Sequence, residues 1–363
     1  MLLLVPVHAA ILLSINGHGG GWAQAIYWLV HVFRLPLFFA MSGFFLVLLL
    51  SRKGLRETAR NRTIRIVAPL AIGLVTLVPL LVLASQMTDT VITGDGEIAA
   101  GSPFAFEPSF LWFLWYLLII DTLAISLYLL APGMLSAAGA RLRAYSFKPL
   151  LVIPLLALPT ALALWGEAAW SVEPATDTFV PEIPALAYYA LFFTLGATLS
   201  AHRDIVERAG ENAWRWAACG AAATIPAALL FALHNSATGT RTEVHAAALL
   251  TLAIATWTSL IALIGLAARY LTSPRPALRY MADSSYWIYL SHLPAMVLLI
   301  ALIGTTSLGT APQFVLVTAG ALAFSLLTYA AFVRYTAIGT LLNGPRTRPR
   351  HQRQQQDPGL ATR

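Results

Sequence analysis

The feature that most restricts this chain is a succession of apolar stretches, each close to the length that crosses a bilayer. A spanning helix needs about 20 apolar residues. Ten stretches meet that description: 1–16, 24–50, 64–86, 110–131, 150–166, 183–199, 213–233, 244–267, 281–303 and 312–338. They are long and continuous, and they lack the two-residue alternation of membrane barrel strands. In hydrocarbon, such segments must satisfy their own backbone groups, which calls for helices. The expected fold class is therefore all-α: a polytopic integral membrane protein of about ten transmembrane helices. Composition agrees. The 363-residue chain is 58% hydrophobic and 11% charged, against about 25% charged residues in soluble domains. No internal repeat is evident.

The formal net charge of +7 reads as loop bias rather than as a sign of nucleic acid, because the cations fall between the apolar stretches. All but two of the 23 Lys and Arg lie in alternate connections (51–65, 132–149, 201–215, 268–280) or from Arg334 onward. The opposite connections carry Asp89, Asp95, Glu97, Glu107, Glu167, Glu173, Asp177, Glu182 and Glu243. This bias predicts both termini on the cytoplasmic side and a multi-pass protein of the cytoplasmic (inner) membrane. Residues 1–342 read as one transmembrane domain. Residues 343–363 read as a disordered, basic cytoplasmic tail able to touch anionic lipid. The single cysteine, Cys219, rules out intrachain disulfides and paired-cysteine metal sites, and no metal is expected.

Stretch 1–16 rises only about 24 Å against a hydrocarbon core of about 30 Å. It has no positively charged leader, so it does not read as a signal peptide. It carries His8, and the reading frame is expected to continue upstream of Met1. The loop 87–109 is long enough to cover a site on the outer face. The aromatic run Phe110–Tyr116 that follows it is expected to be an interfacial belt.

Ionisable groups inside spans are costly and usually face a cavity or a partner. Arg34 lies about 15 Å along its helix from the outer start, and Asp121 about 16 Å along its own. His292 sits near the middle of 281–303, and His8 falls at a comparable level if its helix begins near Met1. Arg34 and Asp121 can neutralise one another, a structural role, and a lone membrane histidine commonly serves helix packing. Two histidines level with two opposite charges also suit a reaction site. Arg62 and Arg65 share a helix face at a membrane edge. They suit either lipid phosphate or a phosphorylated ligand held by charge-assisted bonds. Gly43 suits helix packing or close approach of a ligand. Glu243 and His245 stand at an outer helix start, where a polar ligand on that face would approach. His18, His31, His202, His234 and His351 fall at interfaces, in loops or in the tail and are given no role.

Four motifs in order carry a resemblance: FRLPLFFAMSGFF (33–45), Arg62-x-x-Arg65 before IVAPL, LWFLWYLL (111–118) and SSYWIYLSHLP (284–294). Together with the number and orientation of spans they resemble the integral-membrane acyltransferase 3 family, and within it the glucan biosynthesis protein C-like, succinyltransferase branch. The resemblance covers the first four spans and the ninth; the rest fit by count. It implies transfer of an acyl group from cytoplasmic acyl-coenzyme A to an extracytoplasmic hydroxyl, often on a glycan. It also implies a first-helix histidine, matched by His8, and an Arg-x-x-Arg matched by Arg62 and Arg65. Two positions depart from the family. Its basic residue roughly three helical turns before the histidine would precede Met1, and a histidine common before LWFL is Phe110 here.

The mechanism this suggests has neutral His8 remove the acceptor proton, Arg34 stabilise the oxyanion, Asp121 hold Arg34, and His292 act as a second acid/base or a structural group. The rival reading is a transporter or flippase. Midplane charges and the in-span prolines Pro36, Pro69, Pro79 and Pro294 suit alternating access as well.

Overall fold

A computed structural model describes residues 2–15, 21–93, 107–131, 133–134, 137, 140, 149–166, 174–236, 242–273, 275–303 and 306–344. Every regular element among them is helical. In chain order they are α1 (Leu4–Ile15), α2 (Gly21–Arg62), α3 (Ala68–Thr93), α4 (Trp112–Leu130), α5 (Pro149–Ala163), α6 (Ile183–Ala201), α7 (Arg203–Glu211), α8 (Ala213–Ser236), α9 (Thr242–Tyr270), α10 (Pro276–Ile303), α11 (Thr310–Thr328) and α12 (Ala337–Asn343).

Among the described residues, 7 helices are long and apolar enough to cross a membrane. One of them, the 64-residue run Ala25–Thr88, carries two of the expected stretches. Leu4–Ser14 and Val152–Ala163 are apolar but shorter. Residues 94–106 of the outer loop, Arg241, His18 and His351 lie outside the described residues, as does the tail beyond Gly344.

The cation-rich connection after the second stretch is helical rather than a turn. α2 kinks at Gly54, where φ is 75°, a left-handed value that only glycine adopts readily. The helix then resumes through Arg62, with Glu57 and Arg60 3.8 Å apart on its exposed side. A π-helical turn, Thr63–Val67, leads into α3. A second π turn, Tyr329–Val333, follows α11.

The helices form two compact units. The first takes in Met1–Gly19, Asn61–Phe106 and Arg275–Arg363. Its core is built where α1, α10 and α11 meet through Val5, Ala9, Ile288, Met296, Val317 and Ala321. Small side chains at Ala9, Ala295 and Ala321 let these helices approach closely, which is where membrane helices gain packing energy. Short polar bonds tie α10 to its neighbours: Trp287 Nε1 donates to Thr328 Oγ1 at 2.9 Å, Ser291 Oγ to Ser325 Oγ at 2.9 Å, and Thr88 Oγ1 to the Val297 carbonyl at 3.1 Å.

The second unit takes in Gly20–Arg60 and Glu107–Pro274. In it α9 packs against α5, α7 and α8. α2 crosses α6 with the two backbones in contact. A methyl on Gly43 would overlap the Phe193 carbonyl, and one on Gly196 would overlap the Ala40 carbonyl. Gly43 is thus a packing residue, the plainer of its two readings. The expected aromatic belt is instead mostly interior. Trp112, Phe113 and Tyr116 are buried, and Phe113 and Tyr189 flank Phe39 at 5.1 and 4.3 Å between ring centroids. Trp115 Nε1 donates to the Phe179 carbonyl at 3.0 Å, and the Tyr116 hydroxyl accepts the Glu182 N–H at 2.8 Å. These rings anchor the 174–182 segment, a use that aromatic size and a polar tip permit as readily as lipid contact.

Candidate active site

α1 and α10 each contribute a histidine to the first unit. His292 is fully buried, at 0% exposure, and His8 is half-buried. His8 Nδ1 and His292 Nε2 are 2.8 Å apart. The rings are nearly parallel, at 21°, with centroids 5.0 Å apart, so the bond runs edge to edge close to the ring planes. His292 Nδ1 lies 2.9 Å from both the Ile288 and the Tyr289 carbonyl oxygens.

Those two carbonyls fix the protonation pattern. A carbonyl oxygen only accepts, so His292 Nδ1 carries the hydrogen. In the neutral ring, Nε2 is then an acceptor. His8 Nδ1 must donate to it, which leaves the lone pair of neutral His8 on Nε2. The helix backbone of α10 thereby sets the tautomer of a histidine on α1, the orienting relationship that general bases require. Val5, Ala9, Ile288 and Met296, each within about one turn of a histidine along α1 or α10, belong to the buried core.

Arg62 and Arg65 also belong to the first unit. The expectation of a shared α-helical face needs correction. Arg65 lies within the π turn and Arg62 caps it, and the wider i→i+5 turn changes the angle between side chains three residues apart. Arg62 is half-buried and Arg65 exposed. Arg65 Nη2 donates to the Asn343 carbonyl at 3.2 Å, and the Tyr286 hydroxyl donates to the Arg65 carbonyl at 2.6 Å. Asn343 Nδ2 in turn donates to the Asp283 carbonyl at 2.8 Å. The end of α12 and the start of α10 thus position the arginine turn. Arg334, just past the second π turn, lies over the Tyr280 ring at 5.0 Å. π turns recur at functional sites.

Arg34 and Asp121 belong to the second unit, on α2 and α4. They are 4% and 1% exposed. His31, one turn before Arg34, is buried as well and stacks on Tyr27 at 4.5 Å. From sequence it reads as an interface residue, but its i,i+3 spacing to Arg34 was the available signal. Glu243 opens α9. His245 donates from Nε2 to the Trp165 carbonyl at 3.1 Å and lies 4.7 Å from the His234 ring. This pairing of histidines across the α8–α9 hairpin was not legible from sequence, because it depends on the hairpin register. Among the described residues no group of three His, Cys, Asp or Glu is placed to hold a metal.

The family model described as "Acyltransferase domain", acyltransferase 3, matches residues 1–330. Curated proteins named "Glucans biosynthesis protein C" from Salmonella gallinarum and Salmonella typhi are each 27% identical over 311 residues, 81% of this chain and 79% of theirs. The protein of that name from Salmonella typhimurium is similar to the same extent, at 27%. No solved structure matches.

Proposed function

Since this chain belongs to the acyltransferase 3 family and is a multi-pass membrane acyltransferase, we propose that it moves an acyl group from acyl-coenzyme A on the cytoplasmic side to a hydroxyl of an extracytoplasmic acceptor. The acceptor class is a glycan, a reading supported by relatives named for glucan biosynthesis. The protein crosses the inner membrane in ten passes, with both termini cytoplasmic, as the alternation of cations between spans indicates.

The observation that carries the reading is the His8–His292 bond. His8 Nε2 takes the proton of the acceptor hydroxyl as its oxygen attacks the thioester carbonyl. The tetrahedral intermediate collapses with loss of the coenzyme A thiolate. The thiolate takes the proton from the His8 imidazolium, giving an ester and free thiol. His292 does not touch the reacting atoms; it holds His8 in the required tautomer and is a positioning residue. Arg62 and Arg65 take the donor's phosphates. Arg65 exchanges its bond to the neutral Asn343 carbonyl for one to a phosphate oxygen, in which both partners are charged. Arg34 and Asp121 stay candidate catalytic residues, as charge-stabilising groups of their own unit.

The test uses purified protein in proteoliposomes with radiolabelled acyl-coenzyme A and a glucan acceptor. Release of free thiol with label on the glucan is expected. Label crossing the membrane with no thioester cleaved would indicate a transporter instead.

A further inference from the structure

A cavity of ≈ 680 Å³ lies wholly within the second unit, among α5, the end of α6, α7, the start of α8 and the latter part of α9. It falls within the volume range of small-ligand sites, about 300–1,000 Å³. Its walls are mainly aliphatic, through Val152, Leu156, Leu195, Leu199, Ile254 and Ile261. Its charged side chains are Arg208 of α7 and Arg215 of α8, and Asn212, between them in sequence, also lines it. Both arginines are exposed, and Arg215 Nη1 lies 3.3 Å from Asn212 Oδ1. Trp216 lines the cavity at the same end. Cys219 lies one turn further along α8 and also lines it.

The polarity of the cavity therefore has a direction, from two guanidinium groups to aliphatic walls. The acids of α7, Asp204, Glu207 and Glu211, are not part of the lining. α7 itself is amphipathic: Ala209 and Gly210 are buried, while Arg203, Glu207, Arg208 and Glu211 are exposed. Such a helix between two spans suits the plane of the headgroups. Indole rings such as that of Trp216 favour the same level. A ligand matching this lining has a compact anionic head and an aliphatic chain.

We propose that the cavity is a binding site for an anionic glycerophospholipid, with its phosphate between Arg208 and Arg215 and one acyl chain running past Cys219 toward Ile254. The site lies on the side where lysines and arginines concentrate, the side where anionic lipids are enriched. A nucleotide-bearing thioester is a poorer match, because its base and sugar need more polar partners than two arginines and one amide supply. The proposal is independent of the acyl-transfer reading, since it assigns a resident lipid and no step of the reaction.

The experiment uses the full chain purified in detergent. Native mass spectrometry counts bound phosphatidylglycerol and phosphatidylcholine with identical chains. Maleimide labelling of Cys219, the chain's one cysteine, locates the lipid. Phosphatidylglycerol is expected to be retained in preference and to slow Cys219 labelling about tenfold. Arg208→Gln and Arg215→Gln should each weaken retention about fivefold, whereas Arg208→Lys and Arg215→Lys should keep most of it. These positions are exposed, so the folded state survives the changes, and a monodisperse elution profile checks this. Equal retention of the two lipids overturns the proposal. So does phosphatidylglycerol binding that leaves Cys219 labelling unchanged, or stronger protection of Cys219 by palmitoyl-coenzyme A than by phosphatidylglycerol.

Discussion

The two units of this protein both bury neutral polar pairs, Trp257 with Thr160 in the second, but differ in the ionisable side chains they enclose. In the first, polar side chains along α10 form short bonds between neutral groups: buried His292 with His8, buried Ser291 with Ser325, and half-buried Trp287 with Thr328. In the second, an aromatic and glycine-mediated packing of α2, α4 and α6 encloses two ionisable side chains, Arg34 and Asp121. Neutral pairs across membrane helices add modest stability, about 1–2 kcal/mol at most. They orient rings without a large desolvation cost. Buried charges are expensive unless compensated. The first unit is thus suited to setting a histidine tautomer, and the second to storing charge in a rigid frame. The difference teaches that burial of a titratable group is not by itself a sign of chemistry; the groups that fix its protons are.

Four measurements break or sharpen this contrast. The largest effect is expected from His8→Ala. It should lower acyl transfer about 10²- to 10⁴-fold, the span of a general base, while donor binding, read by equilibrium dialysis, stays unchanged. Near wild-type turnover would move the base elsewhere. The next effect is on stability. Arg34→Met and Asp121→Leu should each cost about 3–5 kcal/mol, because a compensated charge loses its compensation. The double change Arg34→Met with Asp121→Leu should cost much less than the sum. Thermal unfolding of the four proteins in detergent measures the coupling, and strict additivity would show that the two charges are compensated by other groups.

Third, Arg62→Ala with Arg65→Ala should weaken acyl-coenzyme A binding about 10- to 150-fold, the value of one charge-assisted bond. Unchanged affinity would return both arginines to the role of membrane-edge cations. The smallest effect separates positioning from catalysis. His292→Ala should slow transfer by about tenfold, the worth of one neutral hydrogen bond, and should displace the pH dependence of turnover because the His8 tautomer is released. His292→Asn, with an amide in place of the imidazole, should recover part of the rate. A loss as large as that of His8→Ala would instead place His292 on the reacting atoms.

Hydropathy alone determined that the chain is helical and lies in a membrane, because hydrocarbon leaves a backbone few other ways to satisfy its polar groups. Motif order was also readable, and it carried the family resemblance that the match over residues 1–330 establishes. Local signals went astray where tertiary partners decide. The 110–116 aromatics read as an interfacial belt, but Trp112, Phe113 and Tyr116 fold inward, Phe113 against Phe39. The Arg62–Arg65 spacing read as an α-helical face but spans a π turn. Gly43 offered two roles until the Phe193 carbonyl occupied the space beside it. His8 and His292 stand 284 positions apart, so a sequence gives the depth of each ring but not the azimuth at which its helix presents it. Only packing of α1 against α10 sets that rotation. Only the Ile288 and Tyr289 carbonyls decide which nitrogen holds the proton.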